Sequence, residues 1–395
     1  MGCYLNPGSE GLQRSLRSQI YVDKSLLIRE TNRLVRTERR YVCVSRPRQF
    51  GKTMALDMLA VYYGSGADTR SLFEGLEIGV DASFYEHLNR YDVLRVNMQQ
   101  LVGHDLPHRL NRLNAHIVDE LVEANRTVRF KNKKSLPQVL MDIFAATGRF
   151  FVILIDEWDC PLRENGFDPG ARKLYLEYLL TWLKDQDYVA LAYMTGSLPV
   201  ACYEAGAALN MFVEDSMIHP GGFAGHFGFT LDEAKALCEA RGKDIGEMQK
   251  WYGGYLFFEP VGKVCEILHP RSVVEALERH WICAYWTRAD EFTACVNALR
   301  MKSDGVRESI VRLLSGEVLS IEGCVCWQNS DHMRTRDELL VLLVHLGCLA
   351  YNAVSGTVSV PNREALEMLD RVVRYRDVDL VFHPVEPFDP FSDLL

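Results

Sequence analysis

Apolar and polar positions along the first half of the chain separate short strand-like runs from longer helical ones. Tyr41 to Ser45 (YVCVS) is β-branched and apolar and predicts a strand. It is followed by RPRQFGKT and then by MALDMLAVYYG, which has helical length and character, so the local order is strand, loop, helix. Tyr91 to Met98 (YDVLRVNM) predicts a second strand, and His108 to Asn125 a long helix. Arg149 to Glu157 (RFFVILIDE) is a near-continuous apolar run of the kind buried on both faces of a parallel sheet. Tyr188 to Ser197 (YVALAYMTGS) predicts a fourth strand. Ahead of the first strand, Tyr21 to Arg36 shows near-helical spacing with Asp23 and Ser25 as candidate caps. Strands parted by helical stretches predict a doubly wound α/β domain within residues 1–200.

The pattern changes after Gly196. Glycines cluster in HPGGFAGHFGF (His219 to Phe229), marking a boundary to a mainly helical part. Thr230 and Glu233 form a capping box that starts a helix running to about Ala240. The strongest apolar run, Leu339 to Tyr351, is interrupted by His345 and Gly347 and has the length of a buried helix. Behind it, Tyr351 to Pro361 predicts two short strands joined through Ser355 and Gly356, so that a helix and hairpin give a winged-helix-like end. Residues 201–370 are thus expected to form a helical lid and winged-helix-like lobe. Residues 371–395, whose last stretch HPVEPFDPFSDLL holds three prolines, are expected to be an extended tail.

Composition narrows the function classes. The 395 residues are 48% apolar and 25% charged with 28 Gly and 14 Pro, which excludes disordered and collagen-like chains. No segment has the roughly 18 uninterrupted apolar residues of a membrane span. With 44 basic against 53 acidic residues the net charge is -9, so any polyanion site must be local. The start, MGCYLNPGSEG, lacks a leader pattern, and the cytoplasm is the expected compartment. The 11 cysteines are odd in number and without a CxxC pair; several, such as Cys43, Cys238 and Cys348, read as reduced core thiols. Cys324 and Cys326 form a lone CxC and make a poor metal site; Pro107 argues against His104 and His108 as a helical metal pair. Arg33, Arg36, Arg39 and Arg40, and the run Arg126 to Lys134 (RTVRFKNKK) with Phe130, are weak nucleic-acid candidates that read first as solvated faces.

The chemistry concentrates at Gly51-Lys52-Thr53. This tripeptide lies between the first strand and a helix, where backbone N–H groups and the helix N-terminus face an anion. It is read as a P-loop, or Walker A, site in which Lys52 contacts the β and γ phosphates and Thr53 the metal. The first glycine of GxxxxGK[ST] falls instead on Arg46, and Pro47 removes a backbone donor; Arg46 and Arg48 are candidate replacement charges. The expected nucleotide contacts are Arg46, Pro47, Arg48, Gln49, Phe50, Gly51, Lys52, Thr53 and Met54. VILIDE supplies the Walker B element: Asp156 joins Thr53 at the metal, Glu157 polarises the attacking water, and Glu157 and Lys52 are the catalytic pair. A strand candidate between Thr53 and Asp156 implies that the metal strand is not the immediate sequence neighbour of the loop strand, as in NTPases with an extra central strand. Thr195 is the expected γ-phosphate sensor. The plainer alternatives are a simple helix start at Lys52, a solvated acidic turn at Asp156 to Asp159, and an ordinary turn at Thr195; Trp158 and Asp159 are balanced between site support and packing.

RPRQFGKT resembles the signature of the bacterial AAA-ATPase-like family, whose loop reads RPRxFGKT with Arg in the first-glycine position. Further matches are NPGSEG, YVDKSLLI, LIDEWD, MTGS, FGFTLDE, KWYGGYLF, LHPRSVVEAL and VPNRE, spread to about residue 365. Trp158, Cys160 and Arg271 depart from the family pattern. The resemblance implies a P-loop NTPase of AAA/ASCE type, with ATP and Mg²⁺ as cofactors, acting as a nucleotide-driven switch coupled to DNA processing or defence. Many members continue into a PD-(D/E)xK nuclease-like domain whose motif is missing here: either the chain is a naturally short member, for which a nuclease or other protein partner is expected in trans, or it is truncated before that domain. The first functional reading is a Mg²⁺-dependent ATP hydrolase; the alternative is a non-hydrolysing nucleotide-binding interaction platform.

Overall fold

A computed structural model describes residues 2–103, 105–164, 169–203, 208–258, 264–286, 305–321 and 335–375. Five parallel strands, β1 (Tyr41–Ser45), β2 (Asp92–Asn97), β3 (Phe151–Asp156), β4 (Val189–Gly196) and β5 (Val213–Asp215), form one sheet in the order β2-β3-β4-β1-β5. Each of the four strands expected from the apolar pattern is present; β4 lies between β1 and β3, and β2, the strand between them in sequence, lies at the sheet edge.

Alternate strand residues feed two cores. Val42, Val44, Val93, Val152 and Leu154 pack with the helix Lys52–Tyr63 on one face. Cys43, Leu94, Val96, Ile153 and Ile155 pack with the helices Leu106–Ala124, Leu136–Thr147 and Pro169–Leu183 on the other. Strands covered on both sides have no solvent face, which is why they read as apolar runs and not as alternating ones. The helix Leu106–Ala124 starts where Asp105 accepts a hydrogen bond from the His108 N–H, and its buried Leu106, Leu110, Leu113, Ile117 and Leu121 recur at helical spacing.

Three expectations need correction. The α/β sheet draws β5 from beyond residue 200, because Val213–Asp215 is too short to stand out as an apolar run. The helix expected over Tyr21 to Arg36 is confined to Leu26–Asn32. The mainly helical second lobe also carries β6 (Phe229–Thr230), β7 (Tyr255–Phe258) and β8 (Val264–Leu268), an antiparallel sheet in the order β6-β8-β7. The helix Arg363–Tyr375 also carries regular structure past residue 370, into the range expected to be extended. Cys324, Cys326, His104 and residues 376–395 lie outside the described residues.

The far end of the lobe has the expected winged-helix-like elements. The helix Val306–Leu314 precedes β9 (Leu319–Ser320), and the buried helix Arg336–His345 precedes β10 (Ala350–Asn352) and β11 (Thr357–Ser359). The three strands pair antiparallel in the order β10-β11-β9. The capping box at Thr230 forms with both its hydrogen bonds, and a second one, Thr335 with Glu338, starts the helix Arg336–His345.

Candidate functional site

The loop after β1 ends at Gly51, whose φ of 91° is a left-handed conformation that side chains disfavour. Lys52 is the first residue of the following helix and is 4% exposed. Its Nζ donates to the carbonyls of Arg46 at 2.9 Å and Pro47 at 3.0 Å and lies 4.0 Å from Glu157 Oε1. Burial pulls the Lys52 ammonium below its ordinary pKa, while Glu157, Asp159 and Asp156 act against that shift.

The two motifs meet across the strand ends. Thr53 Oγ1 donates to Asp156 Oδ2 at 2.8 Å, although the residues are 103 positions apart. The other Asp156 oxygen accepts from Thr195 Oγ1 at 2.8 Å and from the Glu157 N–H at 3.1 Å, so both carboxylate oxygens are fixed. Glu157 follows with φ 51°, a strained backbone of the sort that persists where the surroundings over-determine it. Burial raises its carboxyl pKa and the nearby Lys52 opposes the rise. A threonine hydroxyl beside a carboxylate at the C-terminal edge of a parallel sheet is a hard-oxygen pair that suits Mg²⁺, which takes few protein ligands and completes its shell with phosphate oxygens and water. Among the described residues no three His, Cys, Asp or Glu side chains cluster as a self-sufficient metal cage.

A cavity of about 800 Å³ opens over this edge, within the roughly 300–1,000 Å³ typical of ligand pockets. Lys24, Arg48, Lys52, Arg163 and Arg271 line it against only two carboxylates, Glu157 and Glu278, so its wall is cationic in an acidic chain. Apolar wall comes from Ile20 and Val22 before β1, and from Val274 on the helix Pro270–Arg279. His226 also faces it, its imidazole pKa pulled down to about 4 by burial and by nearby Lys24.

Of the expected nucleotide contacts, Arg48, Gln49, Phe50, Gly51, Lys52, Thr53 and Met54 line the cavity, whereas Arg46 and Pro47 do not. Arg46 is fully buried: Nη2 pairs with Asp215 Oδ1 at 2.5 Å, Nη1 donates to the Asp215 carbonyl at 3.2 Å, and the guanidinium lies over Phe227 and Phe257. It therefore ties β1 to β5 and does not stand in for the missing loop glycine as a phosphate charge. Thr195, the expected sensor, is buried, its hydroxyl donates to Asp156, and it is not among the residues lining the cavity. Asp159 serves the site indirectly: its carboxylate accepts from the Ser197 and Leu198 N–H groups and the Tyr203 hydroxyl, and pairs with Arg163. Trp158 is packed against Tyr203. Arg163 escaped sequence reasoning because no motif marks it; Lys24 and much of the second-lobe wall lie in YVDKSLLI, FGFTLDE and LHPRSVVEAL, which match the family pattern without an assigned role, and Arg271 stands only as a departure from it.

Residues 14–204 match the AAA-ATPase-like family, described as predicted AAA-ATPase. Over these residues the chain is similar to the members of that family. A curated protein of Azotobacter chroococcum mcd 1, described as an uncharacterized protein in the vnfD 5' region, is 28% identical over 265 residues, covering 65% of this chain and 48% of the relative. The chain thus spans about half the length of that relative. Among solved structures, the ORC2 protein of Aeropyrum pernix, in its ADPNP-ADP complexes, aligns at 12% identity with a TM-score of 0.40, covering 92% of this chain and 98% of its own. Cdc6p of Pyrobaculum aerophilum aligns at 9% identity and 0.35, covering 95% and 100%.

Proposed function

We propose that the chain binds ATP with Mg²⁺ and hydrolyses it. The observation that carries this reading is the Thr53–Asp156 hydrogen bond, with Lys52 and Glu157 beside it under a cationic cavity. Thr53 and Asp156 would hold the ion, which supplies positive charge against the phosphate oxygens. Lys52, drawn to 4.0 Å from Glu157, places an ammonium on the β and γ phosphates. Glu157 orients the attacking water and takes up its proton; burial raises its pKa and makes it a stronger base than an exposed carboxylate. Ile20, Val22 and Val274 offer the apolar surface a base requires.

The nucleotide-driven switch follows from packing. Phe50 of the loop sits edge-on to Tyr255 and His269 of the second lobe, at 5.9 and 4.9 Å between ring centres, so a loop that moves on hydrolysis moves this lobe. A coupling to DNA rests on the exposed basic residues Arg126, Arg129, Lys131, Lys133 and Lys134.

Phosphate release with ATP and Mg²⁺ tests the reading. Wild type is expected to release phosphate, Glu157→Gln to bind ATP yet lose about 10²–10⁴-fold of the rate, and Lys52→Ala to lose binding. Binding without release by wild type would favour the interaction platform. Absence of binding would end both readings.

A further inference from the structure

Arg163 is used by nothing above. It sits on the short helix Cys160–Glu164 after β3 and lines the cavity together with Lys52, Thr53 and Glu157. Its Nε donates to Asp159 Oδ2 at 3.1 Å and its Nη2 to Glu157 Oε2 at 3.1 Å, while the other Glu157 oxygen faces Lys52 at 4.0 Å. The Glu157 carboxylate thus lies between an ammonium and a guanidinium. Asp159 is fully buried and held by the N–H groups of Ser197 and Leu198, just past the end of β4. The guanidinium is therefore anchored to the strand that carries Thr195 while Arg163 lines the cavity.

Geometry then separates the phosphates. Lys52 at the helix start serves the β and γ groups, and Glu157 serves the water beyond the γ group. A cation on the far side of Glu157 from Lys52 is placed to meet the terminal phosphate alone. A planar guanidinium can hold a carboxylate and a phosphate oxygen on different N–H groups, or exchange one for the other, as an ammonium cannot. Arg271, another guanidinium of the cavity wall, is paired with Glu275 at 2.7 Å on an exposed helix face and has no such buried anchor.

We propose that Arg163 is the intrachain ligand of the terminal phosphate, through which the site tells a nucleoside triphosphate from a diphosphate. The inference rests on the nucleotide reading above. The test is calorimetric titration of wild type, Arg163→Gln and Arg163→Lys with the imidotriphosphate analogue of ATP and with ADP, each with Mg²⁺. Arg163→Gln is expected to weaken the triphosphate analogue about tenfold or more and ADP less than about twofold. Arg163→Lys, which keeps the charge without the fork, is expected to lose about threefold on the analogue only, and serves alone if the Gln variant does not fold. Equal weakening of both ligands would make residue 163 purely structural and overturn the proposal, as would no weakening of either. If wild type bound neither ligand, the nucleotide reading itself would fall, a result distinct from the other two.

Discussion

Pro47 in the phosphate loop and Gly347, just after the buried helix Arg336–His345, are in direct contact: a Cβ on Gly347 would lie 3.0 Å from Pro47 Cγ and 3.2 Å from its Cβ. Gly347 adopts φ 82°, and its carbonyl accepts the Tyr255 hydroxyl at 2.7 Å. The same Tyr255 ring meets Phe50. The back of the loop is therefore seated on the lobe that ends in the winged-helix-like elements, while its front faces the cavity.

Gly347→Ala should accordingly act on both functions at once. The left-handed backbone costs a side chain about 1–2 kcal/mol, and the Pro47 contact requires a further shift of the loop. The expected outcome is a lower urea midpoint together with weaker ATP binding, read by denaturation and titration of one preparation. A variant with lowered stability and unchanged ATP affinity would show that the loop does not feel this contact.

Arg46 carries a prediction opposite to that of a phosphate ligand. Removing one partner of a buried ion pair leaves the other charge unpaired and costs about 3–5 kcal/mol. Arg46→Met should therefore destabilise the fold by that order, with Asp215 left among Tyr193, Phe223 and the second lobe. The double variant Arg46→Met with Asp215→Leu should recover part of the loss. Denaturant midpoints of the single and double variants give the coupling. If Arg46→Met folded with wild-type stability and lost only nucleotide affinity, the side chain would be a phosphate ligand after all.

What was legible in the sequence followed from burial. β1, β3 and β4 are covered on both faces, and so stood out as apolar runs; Lys52, Thr53, Asp156 and Glu157 stood at their ends. The role of Arg46 was not legible, because a guanidinium in a loop reads as a surface charge until β5, a three-residue strand, brings Asp215 to it. Two further motifs, KWYGGYLF and VPNRE, hold the fold. Gly254 of KWYGGYLF lies so close to Pro361 of VPNRE that a Cβ would come 2.1 Å from its carbonyl oxygen. Asn362 donates to the Gly253 carbonyl at 2.8 Å and accepts from the Ala365 N–H at 2.9 Å. Contacts between segments a hundred residues apart carry no local pattern to read.

Gly254→Ala is the sharp test of that junction. With φ 84° and backbone in place of a flexible neighbour, nothing can yield without moving the start of the helix Arg363–Tyr375. The loss should exceed the roughly 1–2 kcal/mol of the backbone conformation alone. Thermal unfolding would register it, and a melting point within a degree of wild type would count against the close approach.

His269 and His345 predict the acid limit of stability. Both are buried, His269 stacked on Trp286 at 5.1 Å and capping the helix Pro270–Arg279, His345 on the helix Arg336–His345 near His219 and Arg46. Burial lowers each imidazole pKa to about 3 in the fold, below the ordinary value near 6.5. As pH falls the unfolded chain takes up these protons first, so the stability they contribute is complete above about pH 6.5 and is lost progressively from there toward pH 3. For the pair the loss between pH 7 and 5 is roughly 4 kcal/mol. Urea unfolding of wild type at those two pH values should show it together with a similar share from His226, and His345→Leu should reduce the difference by about 2 kcal/mol. An unchanged pH dependence in that variant would mean that His345 does not stay neutral in the folded protein.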